Sequence, residues 1–144
     1  MTIVYAESSA VLAWLLGEPV QDVVLGVLSS ADEVVSSALT AVECTRGLRR
    51  ARLDRRISAS QEAGALRLLD GALASWHLLD LTEDILGAAR GAFPCEPVRT
   101  LDALHLASAV ALYQATGHLD MLSFDERVRG NAADLGMTVV PVVG

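Results

Sequence analysis

Residues 3–9 read Ile3-Val4-Tyr5-Ala6-Glu7-Ser8-Ser9, a short apolar run followed by one acid and two hydroxyl side chains. The apolar run is typical of a buried strand, and the two serines can cap a helix that runs to residue 16. The chain therefore begins with a strand, a turn and a helix. A carboxylate, Glu7, lies at the turn between them.

The same alternation continues along the chain. Further strands are predicted at residues 34–37, 76–81, 121–123 and 138–140. Further helices are predicted at residues 20–28, 38–53, 101–113 and 126–135, and Thr100 is the predicted cap of the third of these. Two more helices are predicted to begin at a capping box at Ser58 and at Thr82. Short apolar strands alternating with helices indicate an α/β fold, a three-layer α/β/α sandwich with a parallel sheet of four or five strands. We expect residues 1–144 to form one domain.

Composition excludes several classes of protein. The chain is 52% hydrophobic, but no uninterrupted apolar run approaches the ~18 to 20 residues of a membrane span. The N-terminus lacks the cationic lead of a secretory signal, so we expect a cytoplasmic protein. Cys44 and Cys95 have no nearby cysteine or histidine partner, which argues against a zinc cage or a disulfide framework. Both are predicted to be small core residues.

The charge pattern leaves the nature of the partner open. A net charge of −7 counts against nucleic acid, because Lys and Arg provide most affinity for phosphate backbones. The chain has no lysine, yet six arginines fall within eleven positions: Arg46, Arg49, Arg50, Arg52, Arg55 and Arg56. Such a stripe is compatible with a nucleic-acid substrate, and a solvated helix face is the alternative.

Four isolated acids stand at the junctions of the predicted elements. Glu7 and Asp125 follow strands, while Glu43 and Asp102 lie near the starts of helices. Ligands of parallel sheets bind outside the carboxyl ends of the strands, so all four can face one crevice. Hard divalent cations take oxygen ligands from separate elements. The pattern therefore indicates a divided site for Mg²⁺ or Mn²⁺.

Each acid also has a structural interpretation. Glu43 matches a capping box with Thr40 and can pair with Arg46, and Asp102 complements a helix dipole. Asp125 matches a second box that starts at Ser123. Glu7 is the hardest to explain in this way, because a carboxylate next to a buried strand is costly unless it is paired.

Two further side chains compete for a place in the site. Asp120 also flanks the fourth strand, but we expect it at the entry side of that strand, away from Asp125. His105 lies one turn after Asp102, and we assign it as a hydrogen-bonded core residue, since a lone histidine on an apolar helix usually has that role.

Four segments resemble PIN domains, specifically VapC-type toxins, and they cover almost the whole chain in the right order. They are Val4-Tyr5-Ala6-Glu7-Ser8-Ser9-Ala10-Val11-Leu12, Val35-Ser36-Ser37-Ala38-Leu39-Thr40-Ala41-Val42-Glu43, Arg99-Thr100-Leu101-Asp102-Ala103-Leu104-His105-Leu106-Ala107 and Leu122-Ser123-Phe124-Asp125.

The resemblance implies a metal-dependent endoribonuclease toxin that a VapB-type antitoxin neutralises and that is usually a homodimer. The four catalytic, metal-binding acids of the family correspond to Glu7, Glu43, Asp102 and Asp125. Ser9 and Ser123 correspond to hydroxyls that support the acidic site. One departure is that the first acid is usually Asp, whereas Glu7 is longer by a methylene.

The expected chemistry is in-line hydrolysis of RNA. A metal-bound water is the expected nucleophile, and Arg46, Arg50 and Arg99 are predicted to contact phosphates. The main alternative is a catalytically inactive PIN-like binding or regulatory module. A phosphotransfer receiver is disfavoured because the chain has no lysine, and a dinucleotide-binding domain because no GxGxxG follows the first strand.

Overall fold

A five-stranded parallel sheet forms the centre of the molecule. The computed structural model describes residues 1–142. The strands are β1 (Ile3–Ala6), β2 (Glu33–Ser37), β3 (His77–Leu79), β4 (Asp120–Leu122) and β5 (Thr138–Val140). Their order across the sheet is β3-β2-β1-β4-β5, and each neighbouring pair is parallel. β1 is thus the central strand.

Helices cover both faces of this sheet. They are α1 (Ser8–Leu15), α2 (Gln21–Ser30), α3 (Ala38–Leu53), α4 (Ala59–Ser75), α5 (Glu83–Ala89), α6 (Thr100–Thr116) and α7 (Glu126–Asp134).

Successive side chains of β1 point to opposite faces of the sheet, as they do in any strand. Ile3 and Tyr5 pack into a core with α6 and α7. Val4 and Ala6 pack on the other face, in clusters that contain residues of α1 to α4. The predicted three-layer α/β/α fold is therefore confirmed.

Helix α3 packs unusually closely against α1. A Cβ built on Gly47 would lie only 2.8 Å from Leu12 Cδ1, so the position accommodates only glycine without a shift of the leucine. This approach brings the first half of α3, with Glu43, towards the start of α1.

Most of the predicted helix ends agree with the structure. Ser58 and Gln61 form the expected capping box, the Thr82 hydroxyl accepts from Ile85 N, and Gly117 ends α6 in the left-handed region at φ 83°. The predicted Thr100 cap is wrong, because Thr100 is already the first helical residue and Arg99 is the N-cap. The third strand is also shorter than predicted, at three residues.

The two cysteines have different environments. Cys44 is fully buried, and burial, reinforced by the charges of Glu43 and Glu7, raises the pKa of its thiol to about 12. Cys95 is exposed and donates to Asp134 Oδ2, so its predicted place in the core is wrong. It follows Pro94 in the loop between α5 and α6, outside the elements that build the core.

Within residues 1–142, none of the helices combines the length and the apolar character needed to cross a lipid bilayer.

Candidate active site

A cleft of about 750 Å³ opens at the carboxyl end of the sheet. All four predicted acids line it, together with Arg46 and Arg99, and an apolar wall completes it. The residues of that wall include Leu12, Leu39, Val42 and Leu101. The fold therefore brings together four carboxylates that are separated by up to 118 positions in the chain, from Glu7 to Asp125.

Glu7 is buried and fully hydrogen-bonded. It is the N-cap of α1, and its Oε2 accepts from Ser9 N at 2.6 Å. Its Oε1 accepts from the hydroxyls of Ser9 at 2.7 Å and Ser123 at 2.6 Å. These three donors offset the cost of burying the charge next to a strand. Glu7 thus accepts from Ser9 of α1 and from Ser123 just after β4.

Glu43 lies one turn into α3 and faces α1 and α6. Its Oε1 accepts from Ser8 Oγ at 2.7 Å and from His105 Nε2 at 2.5 Å. Burial by itself raises the pKa of Glu43. The hydrogen bond and electrostatic effect of His105, together with the hydrogen bond of Ser8, outweigh burial, so its pKa is below the usual value of 4.5.

The predicted local partners of Glu43 are wrong. Helix α3 begins after Ser37, whose hydroxyl accepts from Leu39 N, so Thr40 is not its cap. Thr40 Oγ1 instead accepts from Ser36 Oγ at 2.8 Å. Glu43 pairs across the fold and not with Arg46, because its side chain points towards the cleft and the buried histidine.

His105 connects Glu43 to the core. The ring is 1% exposed, and the Tyr5 hydroxyl lies 2.8 Å from its Nδ1. The tautomer that satisfies both contacts accepts from Tyr5 at Nδ1 and donates to Glu43 from Nε2. Burial, aided by the charge of Glu7, raises the pKa of Tyr5 and keeps the hydroxyl a donor. The assignment of His105 as a hydrogen-bonded core residue is confirmed.

Asp102 and Asp125 share one cation. Arg99 Nε lies 3.3 Å from Asp102 Oδ2, and Arg99 Nη2 lies 3.2 Å from Asp125 Oδ2. The other oxygen of Asp125, Oδ1, caps α7 by accepting from Arg127 N and Val128 N. Asp125 is therefore itself the cap.

The predicted box between Ser123 and Glu126 is not formed. Ser123 Oγ instead accepts from Asp125 N at 3.0 Å and donates to Glu7. This hydroxyl couples the end of β4 to the start of α1.

The arginine stripe is largely neutralised by neighbouring acids. Arg49 and Arg52 approach Glu62 of α4, Arg50 pairs with Asp54, and Arg56 approaches Glu18. Of the three arginines predicted to contact phosphate, Arg46 and Arg99 line the cleft, whereas Arg50 is not among the lining residues. Asp120 begins β4, at the opposite end of the strand from the cleft, as expected.

Two side chains contribute to the site although the sequence indicated only structural roles for them, Ser8 as a helix cap and His105 as a core residue. Ser8 donates to Glu43, and His105 is bonded to that same carboxylate. Their positions were the signal that could have found them: Ser8 directly follows Glu7, and His105 lies one turn after Asp102.

The sequence profile of the PIN domain matches residues 4–133. This chain belongs to the PIN domain family. Among curated proteins, this PIN domain is 38% identical over 140 residues to Ribonuclease VapC46 of Mycobacterium tuberculosis, with 97% of this chain and 98% of the relative covered. It is 26% identical to Ribonuclease VapC35 of the same organism, with 96% of each chain covered.

Two solved structures share the fold of this PIN domain. VapC20 of M. tuberculosis, described as a sarcin-ricin loop cleaving toxin, matches with a TM-score of 0.64 at 16% identity, over 92% of this chain and 95% of that one. VapBC2 of Rickettsia felis, solved on a DNA fragment from its promoter, matches with a TM-score of 0.63 at 12% identity, over 96% and 97%.

The donor set of this PIN domain suits a hard divalent cation, since it consists of four carboxylates and nearby hydroxyls. Across residues 1–142, however, no three His, Cys, Asp or Glu side chains converge in the geometry that holds a metal ion. Two of the acids converge on the guanidinium of Arg99, which stands in for a cation between them. The chemistry of the donor set therefore fits a metal, and in this arrangement Arg99 lies between two of the four acids.

Proposed function

We propose that this PIN domain is a divalent-metal-dependent endoribonuclease, the toxin of a pair that a VapB-type antitoxin neutralises. The observation that carries the proposal is that Glu7, Glu43, Asp102 and Asp125 all line one open cleft. The close relationship to the VapC ribonucleases supports RNA as the substrate. The match to a VapBC assembly supports the antitoxin.

Glu43, Asp102 and Asp125 are the proposed metal ligands, with Glu7 as a fourth ligand or as the group that positions a bound water. Mg²⁺ or Mn²⁺ in such a site lowers the pKa of a bound water and stabilises charge on the phosphodiester. The side chains of the protein fix the geometry: Ser9 and Ser123 hold Glu7, while Ser8 and His105 hold Glu43. Held in this way, the two glutamates have fixed positions in the lining of the cleft.

Arg46 supplies positive charge beside the acids and is the proposed contact for a substrate phosphate. It lines the cleft, and no acid within residues 1–142 forms an ion pair with it. Arginine suits this role because its planar guanidinium can donate two parallel hydrogen bonds to phosphate. Hydrolysis would leave a 5′-phosphate and a 3′-hydroxyl. The protein is proposed to act as a homodimer, as is usual in this family.

The test is cleavage of end-labelled RNA with Mn²⁺, Mg²⁺ or excess EDTA. The wild type should cleave only with metal. Asp102→Asn should cleave at least about 100-fold more slowly. Losing a residue that only hydrogen-bonds a metal ligand already lowers metal affinity or activity about 10- to 100-fold, and Asp102 is a proposed ligand itself. Asp120→Asn is the matched control, since it makes the same change at the far end of β4, and it should cleave like the wild type.

Two outcomes would count against the nuclease proposal. Equal loss in the Asp102→Asn and Asp120→Asn proteins would mean that the cleft is not the site of the chemistry. A folded wild type that cleaves none of a set of structured and unstructured RNAs with either metal would favour a non-catalytic binding module.

A further inference from the structure

Arg99 occupies an unusual position at the start of α6. It is the N-cap residue, yet its side chain makes no capping hydrogen bond to the helix. The guanidinium instead crosses the cleft, with Nε on Asp102 of its own helix and Nη2 on Asp125, which is 26 positions away. Arg99 is therefore a bridge between two acids that come from different elements.

The four acids differ in how their charge is balanced. Glu7 and Glu43 accept hydrogen bonds from serine hydroxyls, a backbone amide and a histidine, all buried or partly buried. Asp102 Oδ2 and Asp125 Oδ2, by contrast, have the guanidinium of Arg99 as their partner. Two carboxylates facing one point repel each other, so a cation between them stabilises both.

We infer that Arg99 is a built-in counter-ion that competes with the divalent cation for Asp102 and Asp125. The inference rests on the proposed metal site. Asp125 Oδ1 is engaged by two backbone amides of α7, so Oδ2, the oxygen that Arg99 Nη2 approaches, is the one left for a metal. Binding of a metal between the two aspartates therefore displaces the guanidinium. The Arg99 side chain is 66% exposed, which allows it to leave without disturbing the core.

The competition lowers the affinity of the site for metal, because displacing Arg99 costs the free energy of its two ion pairs. The same pairs keep the aspartates in place while the site holds no metal. Arg99 thus sets the metal concentration at which the cleft fills, and its displaced guanidinium becomes available to a phosphate at the same rim.

Isothermal titration of Mn²⁺ into the full-length protein without RNA tests the inference. The variants are Arg99→Gln and, as a matched control, Arg46→Gln, which removes an identical charge from the same cleft but breaks no ion pair with its acids. Arg99→Gln should tighten Mn²⁺ binding by about three- to tenfold, the range expected for the loss of partly exposed ion pairs. Arg46→Gln should change it by less than about twofold.

A second readout is the rise in thermal midpoint on adding Mn²⁺, because a ligand that binds only the folded state stabilises it in proportion to its affinity. The rise should be larger for Arg99→Gln than for the wild type or Arg46→Gln. Arg99→Lys, which keeps the charge but presents a single ammonium group, should fall between the wild type and Arg99→Gln.

Equal Mn²⁺ affinities for Arg99→Gln and Arg46→Gln would overturn the inference and leave the proposed function intact, as long as Asp102→Asn binds Mn²⁺ more weakly than the wild type. Weaker binding by Arg99→Gln would also overturn it. If neither the wild type nor any arginine variant binds Mn²⁺ in the cleft, both the inference and the metal-dependent function fail.

Discussion

The two sides of the cleft are held together by different forces. On one side, which we call the buried half, Glu7 and Glu43 are fixed by hydroxyls and a histidine that are themselves in the core. On the other side, Asp102, which is itself buried, and Asp125 are joined by Arg99, whose side chain is mostly in solvent. We call this side the exposed half after its arginine. A rigid network resists rearrangement, whereas an exposed ion pair is weak and easily exchanged. The buried half therefore defines the site, and the exposed half adjusts to what binds there.

In the buried half, the largest loss of stability is expected for His105→Ala. This change leaves the buried Tyr5 hydroxyl without its partner, removes a donor from Glu43 and opens a cavity. We expect a loss of about 3 kcal/mol in the free energy of unfolding, measured with urea at neutral pH. His77→Ala, on an exposed position of β3, is the control and should lose less than about 1 kcal/mol. Similar losses in the two variants would contradict a stabilising role for the Tyr5–His105–Glu43 chain.

A smaller effect is expected from Ser123→Ala. Ser123 is fully buried, donates to Glu7 and accepts from Asp125 N. Its loss should cost about 1 to 2 kcal/mol, because the two partners lose a buried hydrogen bond. Ser29→Ala removes an exposed hydroxyl that bonds only within α2 and should stay within about 0.5 kcal/mol of the wild type. A Ser123→Ala protein as stable as Ser29→Ala would show that this link between the two halves is dispensable.

The charge of Glu43 gives a pH-dependent test. Its folded-state pKa is lowered below 4.5, since His105 and Ser8 together outweigh the opposing effect of burial. A carboxyl with a lowered pKa contributes stability above its unfolded pKa, and that contribution is lost as the pH falls through the folded value. The difference in thermal midpoint between the wild type and Glu43→Gln should therefore be constant near neutral pH and shrink below about pH 4.5. A difference that grows on acidification would contradict this assignment.

The smallest effect is expected in the exposed half. Without metal, Arg99→Gln should lose at most about 1 kcal/mol of unfolding free energy, because the ion pairs are partly exposed and screened by solvent. The loss should diminish further in high salt. A loss as large as that of His105→Ala would mean that the two halves are equally rigid, and the contrast between them would be wrong.

The parts of the structure that follow from the sequence are local. The apolar run before Glu7, the capping box at Ser58 and the glycine that ends α6 each depend on residues within a few positions, so strands, helices and most helix ends could be predicted. Because ligands of parallel sheets bind at the carboxyl ends of the strands, the four acids could then be predicted to face one crevice.

The partners of these acids could not be predicted in the same way. Glu43 has a local explanation in Thr40 and Arg46, yet its partners come from 35 and 62 positions away. The bridge from Arg99 to Asp125 depends on β4 lying beside β1 in the sheet, which periodicity does not specify. Cys95 appeared apolar in sequence but lies in a loop whose path is set by long-range contacts, including Cys95 N with Asn131 Oδ1.

The most direct test is a crystal structure of the protein with Mn²⁺, using anomalous scattering to locate the ion. Our account predicts a peak in the cleft bounded by Glu7, Glu43, Asp102 and Asp125. It also predicts an Arg99 guanidinium that has left both aspartates, while Glu43 stays bonded to His105. A cleft without a peak at saturating Mn²⁺, or an ion bound elsewhere with Arg99 still bridging the aspartates, would contradict it.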